Sequence, residues 1–267
     1  MAKNEVAKVD NFNLVAIDAD MRDAIAEEMD GLGTLSLDRI KIPSGGGLAF
    51  EVPGEDEDNP ETATELVGVI LYHHPVNAYW RDAYSGGNEA PNCSSLDGKT
   101  GVDMETGEVR SCADCPHNQF ASDGTGKECK NMNRLYLLLQ DNPVPMILTL
   151  PPTSLKPLKE YIGKRVLLKG YRTHNIITRI TLKKDKSVTG ITYSKAAFAF
   201  AGTLNDDQKA AAASMRDFCI AIDSRIGVSD DEYSAPQVDE NGFTEAPDNV
   251  PEFPSGTLEG YQEELPL

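Results

Sequence analysis

Apolar residues recur along this chain with two different periods, and each change of period marks an element. Between residues 19 and 29, Met21, Ala24, Ile25 and Met29 fall at helical spacing, with Asp18 or Asp20 placed as a cap and Gly31 as a stop. Residues 1–18 show no clear period. Residues 39–42 and 48–52 read as two strands joined by a glycine-rich turn at 44–47. Three glycines without a following Gly-Lys-Ser/Thr and helix make a turn and not a phosphate loop. The stretch "GEDEDNPETATE" (54–65) is acidic, lacks large apolar residues and predicts a solvated loop. At 66–73, "LVGVILYH" has the β-branched and aromatic content of a buried strand.

From 86 to 133 the chain is rich in Gly, Asn, Asp and Ser and too poor in large apolar residues to build a core unaided. Beyond it, "RLYLLLQ" (134–140) and "PMILTL" (145–150) precede a helix starting near Thr153, and "RVLLKGYRT" (165–173) follows that helix. Residues 175–202 predict two long antiparallel strands turning near 184–187. In the first, Ile177, Arg179, Thr181 and Lys183 alternate with Thr178, Ile180 and Leu182; in the second, Ile191, Tyr193 and Lys195 share one face. A twisted sheet with one polar, basic face follows. The Ala-rich stretch 205–222, opened by Asn205 or Asp206, predicts a helix in which Cys219 is a small buried hydrophobe. From 228 onward no hydrophobic period survives, and the acidic, Pro-rich composition predicts a flexible tail.

With 267 residues, 40% of them hydrophobic, the chain can hold one large or two small domains. No apolar run approaches the roughly 18–20 residues of a membrane span, and residues 1–10 lack the pattern of a signal peptide. A soluble, cytoplasmic protein is expected. The net charge of −18 opposes a polyanion partner when taken as a whole, but the charge is unevenly distributed. Residues 1–66 carry 5 basic and 16 acidic side chains, residues 67–228 carry 20 and 16, and residues 229–267 carry 0 and 11. Within the basic middle, 130–196 has a net charge of +10, which suits a polyanion.

Four of the five cysteines, Cys93, Cys112, Cys115 and Cys129, cluster within the core-poor segment, in the pattern C-x18-C-x2-C-x13-C. The tight pair in "CADCPHNQ" places two thiolates on one side of a loop at the separation a tetrahedral metal needs. A structural zinc ion is the expected cofactor, with Asp97, His117 and His74 as alternative donors should one cysteine stand apart. Free surface cysteines, an iron–sulfur cluster and a redox pair are the competing readings; "CADC" lacks the βαβ surroundings of the last. Four thiolates leave no open position for substrate, so the metal would supply folding free energy. No carboxylate cluster, Ser/His/Asp set or phosphate loop points to an enzyme.

Basic residues along a sheet are ordinarily a solvated face, but here aromatic residues lie among them. Lys156, Lys164, Arg165, Lys169, Arg172, Arg179, Lys183 and Lys195 could track a phosphate backbone, with Tyr79, Trp80, Tyr171 and Tyr193 stacking bases. Phe198 and Phe200 read as core instead. The acidic tail ending in "EELPL" could compete with nucleic acid for the basic surface and present an apolar terminus to partner proteins.

The "CADCPHNQ…KECKN" segment, the basic strands and the acidic tail together resemble the single-stranded DNA-binding proteins of phage replication. The resemblance runs from about Ser36 to Leu267 and concerns architecture more than any long diagnostic string. It implies an OB-like, five-stranded β-barrel whose groove holds single strands, an inserted zinc module that stabilises the groove, and a tail that recruits replication or recombination proteins. The best-known zinc-containing type in that family uses a histidine among its ligands, whereas four cysteines are available here. The resulting expectation is a mainly β, non-enzymatic protein. It has an N-terminal arm and helix (1–35), an OB-like core (36–227) carrying a zinc-ribbon-like insertion at 86–133, and an acidic tail (228–267). It would coat single-stranded DNA in replication or recombination, in the bacterial cytoplasm if phage-encoded. The alternative is a phage protein-interaction or inhibitor module that occupies a host enzyme by acidic DNA mimicry.

Overall fold

The computed structural model describes residues 12–15, 17–30, 36–54, 59–81, 90–120, 126–187 and 190–223. The expected acidic tail and the arm at 1–11 lie outside the described residues. In chain order the strands are β1 (Arg39–Ile40), β2 (Phe50–Val52), β3 (Glu61–Ala63), β4 (Glu65–Tyr79), β5 (Cys93–Ser95), β6 (Thr100–Asp103), β7 (Val109–Ser111), β8 (Lys130–Leu139), β9 (Met146–Leu150), β10 (Ile176–Lys186) and β11 (Thr192–Thr203). The helices are α1 (Ala19–Glu28), α2 (Pro152–Tyr161) and α3 (Asp206–Asp223). The chain is therefore mainly β, with a large mixed sheet and few helices.

β4, 15 residues long, organises the sheet. One of its edges pairs with β8 from Gly68 to Ala78, and β8 continues through β9 to the parallel strand β1. Its other edge forks: Glu65–Gly68 pair with β10, which leads to β11, and Asn77–Tyr79 pair with β5, which leads to β6 and β7. The cysteine-bearing segment is thus an insertion at the far end of the β4–β8 ladder. The expected five-stranded barrel differs from this pairing: the sheet has nine strands, and no ladder among the described residues closes it. The reason lies in β4, which runs past His73 through Pro75 and Asn77. The histidine, proline and asparagine interrupt the apolar pattern and hide a strand that hydropathy ends six residues early.

The apolar run of β8 is buried on both faces, as its unbroken hydropathy requires. Leu135 and Leu137 join Ile70, Leu148, Leu150, Ile180 and Ala196 beneath α2. Tyr136 and Leu138 join Val69, Leu71, Ile177 and Ala201 beneath Ala212, Met215 and Cys219 of α3. Cys219 is the buried small hydrophobe expected, its thiol pushed up to about 12 by burial and then by the Asp223 charge. α3 opens with a reciprocal capping box: Gln208 N donates to Asn205 Oδ1 at 2.8 Å, and Asn205 N donates to Gln208 Oε1 at 3.0 Å. At α1 the cap is Asp18, whose side chain accepts from Met21 N at 2.8 Å.

The glycine-rich turn expected between two paired strands has a different use. β1 joins the main sheet, and a single bridge, Lys41 to Glu51, links it toward β2. The turn at Ser44–Gly46 instead lies against β11, where Ser194 Oγ donates to Gly47 O at 2.8 Å. Gly46 has φ 81°, and a Cβ there would stand 2.4 Å from Thr192 Cγ2. Gly46→Ala should therefore lower unfolding stability by about 1–3 kcal/mol, measured by denaturant titration, because strain and overpacking add. No helix of the described residues is long and apolar enough to cross a membrane.

Candidate functional site

The insertion is built from short hairpins pinned by aspartates. Asp97 Oδ1 accepts from the backbone N–H groups of Lys99 and Thr100 at 2.7 Å each and from Ser95 Oγ at 3.0 Å. These bonds, the one from Thr100 foremost, hold its carboxyl below the ordinary range. Asp103 Oδ1 accepts from Glu105 N and Thr106 N at 3.0 Å each. Asp97 is accordingly a turn residue, which removes it from the candidate metal donors. His74 is removed as well, because its ring lies under α3. At the tight cysteine pair, Asn118 Nδ2 donates to Cys112 O at 2.7 Å, and Cys129 N donates to His117 O at 2.8 Å. Asn131 Nδ2 donates to both Asn77 Oδ1 (2.8 Å) and Asn118 Oδ1 (2.9 Å), tying the insertion to the main ladder.

Cys93, Cys112, Cys115 and Cys129 line one hollow of about 330 Å3, together with Tyr79, Arg110 and His117. All four are free thiols. A Cβ on Gly101 would lie 3.1 Å from Cys93 Sγ and 3.5 Å from Cys112 Sγ, so glycine keeps the cradle open. Burial, and then the charges of Cys112, Cys115 and Cys93, push the Cys129 thiol up to about 12. Burial also lowers Lys130 to about 8, with Cys129 and Glu128 acting in the opposite direction. His117 stacks on Tyr79, with ring centroids 4.2 Å apart, and its Nδ1 pairs with Glu128. Among the described residues, no group of three or more His, Cys, Asp or Glu donors is gathered to the spacing that holds an ion. The thiols converge on the hollow without closing on one point.

The residues expected to contact nucleic acid fall into three groups. Arg179, Lys183, Tyr193 and Lys195 share the outward face of the β10–β11 ribbon, where Lys183 is opposite Lys195. Two of these cations are already committed: Arg179 Nε lies 3.2 Å from Glu65, and Lys195 Nζ lies 3.1 Å from Asp185. Tyr79 ends β4 beside the insertion, and Trp80, which follows it, packs against Val76, Ala78 and Met132. From Val67, the partner of Arg179, β4 runs about 40 Å to Tyr79 at ordinary strand rise. Those aromatics are therefore not platforms beside the basic ribbon.

The third group, Lys164, Arg165, Lys169, Tyr171 and Arg172, is exposed on one knuckle, with Lys156 exposed on the preceding helix. The segment 165–173 is helical up to Lys169. A π-helical turn (Ile162–Val166) and a 3-10 turn (Leu167–Lys169) extend α2, and Gly170 ends them at φ 79°. Gly170 N donates to Leu167 O at 2.9 Å and Tyr171 N to Val166 O at 3.0 Å, the paired bonds of a Schellman stop. Tyr171 stacks on Phe200 (5.7 Å), while buried Tyr161 stacks on Phe198 and bonds Thr178. Phe198 and Phe200 pack against the α2 side of the core, so the knuckle and the Arg179–Lys195 row occupy opposite faces of the ribbon.

Hydropathy misses two further features. Leu167 and Leu168, apolar in sequence, are 58% and 81% exposed. Beneath the end of α3, His74, Arg134 and Tyr136 surround Asp223. Tyr136 OH donates to Asp223 Oδ1 at 2.5 Å, and Arg134 Nη1 approaches it at 3.5 Å. His74 Nε2 stands 2.7 Å from the same oxygen, poorly aligned for a hydrogen bond. The visible signal is the pair His74 and Arg134, which stand in register on β4 and β8 next to the apolar runs of both strands. No family model matches this chain, and neither the curated proteins nor the solved structures compared with it contain a significant match.

Proposed function

We propose that the protein binds single-stranded DNA non-enzymatically in replication or recombination, with the 164–172 knuckle as its principal phosphate contact. The observation that carries this reading is the exposure of Arg165, Lys169 and Arg172 without an ion-pair partner among the described residues, continued along α2 by Lys156. Unpaired cations release no protein partner when they meet phosphate, so their full charge is available for counterion exchange. The Arg179–Lys195 row is a secondary contact, because two of its cations first have to leave carboxylates. The large sheet would serve as an OB-like platform.

The cysteine lobe fits a structural zinc ion held by Cys93, Cys112, Cys115 and Cys129. The support is the donor chemistry and the Gly101 cradle: burial first, and then the charges of the neighbouring thiols, push the pKa of Cys93 and Cys129 up, and a bound divalent cation would favour their thiolates. His117 is engaged by Tyr79 and Glu128, so Cys93 is the better fourth donor. The acidic stretch 229–267 would compete with DNA for the knuckle and bind partner proteins. These roles agree with a cytoplasmic protein.

The reading is tested by charge reversal. Arg165→Glu with Lys169→Glu should weaken oligo-dT binding at least tenfold at about 0.1 M salt and reduce the salt slope by about 1.4, at roughly 0.7 per phosphate. Lys183→Glu should weaken it less. Unchanged binding by the double variant would remove the knuckle from the interface.

A further inference from the structure

The knuckle holds more than charge. Leu168 is the most exposed large apolar side chain among the described residues, at 81%, with Leu167 beside it at 58%. Such an exposed pair is costly to leave in water and is absent from the core clusters. It is also rigidly held. The Schellman bonds of Gly170 and Tyr171, and the burial of Val166 just before it, fix the turn that presents the two leucines. Lys164 and Arg165 precede them and Lys169 and Arg172 follow, so the apolar step lies between cations on both sides. Tyr171, stacked on Phe200, supplies an aromatic surface at the same turn. A π-helical turn is an uncommon local geometry and often marks a functional site.

We infer that Leu167 and Leu168 are a base-unstacking contact: they insert between neighbouring bases of a single strand while the flanking cations hold its phosphates. Aliphatic side chains are known to enter base steps as wedges. A strand without a partner pays least for such unstacking, so the contact favours single strands over duplex. Charge complementarity selects nucleic acid as the occupant, because four cations around an apolar pair would repel a basic partner and suit a phosphate chain. The inference rests on the single-strand reading above and adds residues and a role to it.

The test uses the full chain, zinc-loaded where it carries zinc, and oligo-dT containing one 2-aminopurine, whose fluorescence rises when it is unstacked. Wild-type protein should raise that fluorescence on binding. Leu167→Ser with Leu168→Ser should bind about tenfold more weakly, equivalent to 1.4 kcal/mol, with an unchanged salt slope and little fluorescence rise. Leu168→Met should retain the rise. Since both leucines are exposed, the thermal transition should be unmoved, which separates a lost contact from a lost fold. Equal fluorescence and affinity in the double variant would overturn the inference while leaving single-strand binding intact. A variant that changes only the association state, seen by light scattering, would overturn it in favour of a protein-docking patch. Failure of the wild type to bind oligo-dT would overturn both readings.

Discussion

Cys112→Ser is expected to abolish zinc binding, from one ion per chain to none, and to unfold the lobe from β5 to β7. The lobe has short strands and an apolar complement too small to fold it, with Val102, Met104 and Val109 facing outward. A four-thiolate zinc site contributes on the order of 10 kcal/mol to folding, so its loss cannot be absorbed locally. Metal analysis and limited proteolysis check this together: zinc lost, with new cleavage at 93–130. Cys219→Ser is the control and should keep its zinc, because that thiol is buried beneath α3. Cys93→Ser should behave like Cys112→Ser, since Cys93 Sγ and Cys112 Sγ flank Gly101. If Cys93→Ser retained zinc at full stoichiometry, His117 would take the fourth place.

Asp223→Ala should cost about 3–5 kcal/mol of stability, the largest effect expected of a single exchange outside the cysteine lobe. Arg134 is 0% exposed and His74 is 6% exposed, so removing the carboxylate takes a negative charge from beside a buried guanidinium and a buried imidazole. Burial works against the Asp223 carboxylate, yet the contacts of His74 and Tyr136 and the Arg134 charge outweigh it and hold its pKa below the ordinary 3.8. The sign follows from the linkage between proton binding and folding. A depressed carboxyl stabilises the fold above its unfolded pKa, and that contribution disappears as pH falls through the lower folded value. Wild-type stability should therefore decline in acid below about pH 4, where Asp223→Ala should show a shallower decline. Asp223→Asn should resemble Asp223→Ala near neutral pH, which would assign the loss to charge and not to shape. Urea unfolding across pH provides both readings.

Much of the fold was legible because hydropathy and turn chemistry agree locally. The alternation of Ile177, Arg179, Thr181 and Lys183 against Thr178, Ile180 and Leu182 gave β10 its two faces, and the structure places them so. Of the two opening residues read for α3, Asn205 or Asp206, Asn205 is the one whose side chain accepts a helix N–H, from Gln208. Long-range pairing was not legible. Nothing in Arg39–Ile40 announces a parallel neighbour at Ile147–Leu148, and nothing in β4 announces a strand that serves two different lobes. The solvated loop expected at 54–65 contains β3, whose partner β2 lies nine or more residues earlier in the chain. At the candidate site, the four cysteines that the spacing groups line one hollow. The grouping of the cations was not legible, because the knuckle's helical turn and the opposite faces of the ribbon depend on tertiary packing. "VLLKGY" has the composition of a buried strand, and only the Schellman bonds explain why its leucines face water.

The most direct test of single-strand binding is a fluorescence titration of the full chain with oligo-dT and with duplex DNA at two salt concentrations. The expected result is tighter binding to the single strand, weakening as salt rises with a log–log slope of about −3, as for four or five phosphate contacts. Removal of 229–267 should tighten it further, since that segment carries 11 acidic and 0 basic residues. No detectable binding of oligo-dT by the full chain or by the shortened one, at either salt concentration, would contradict the account.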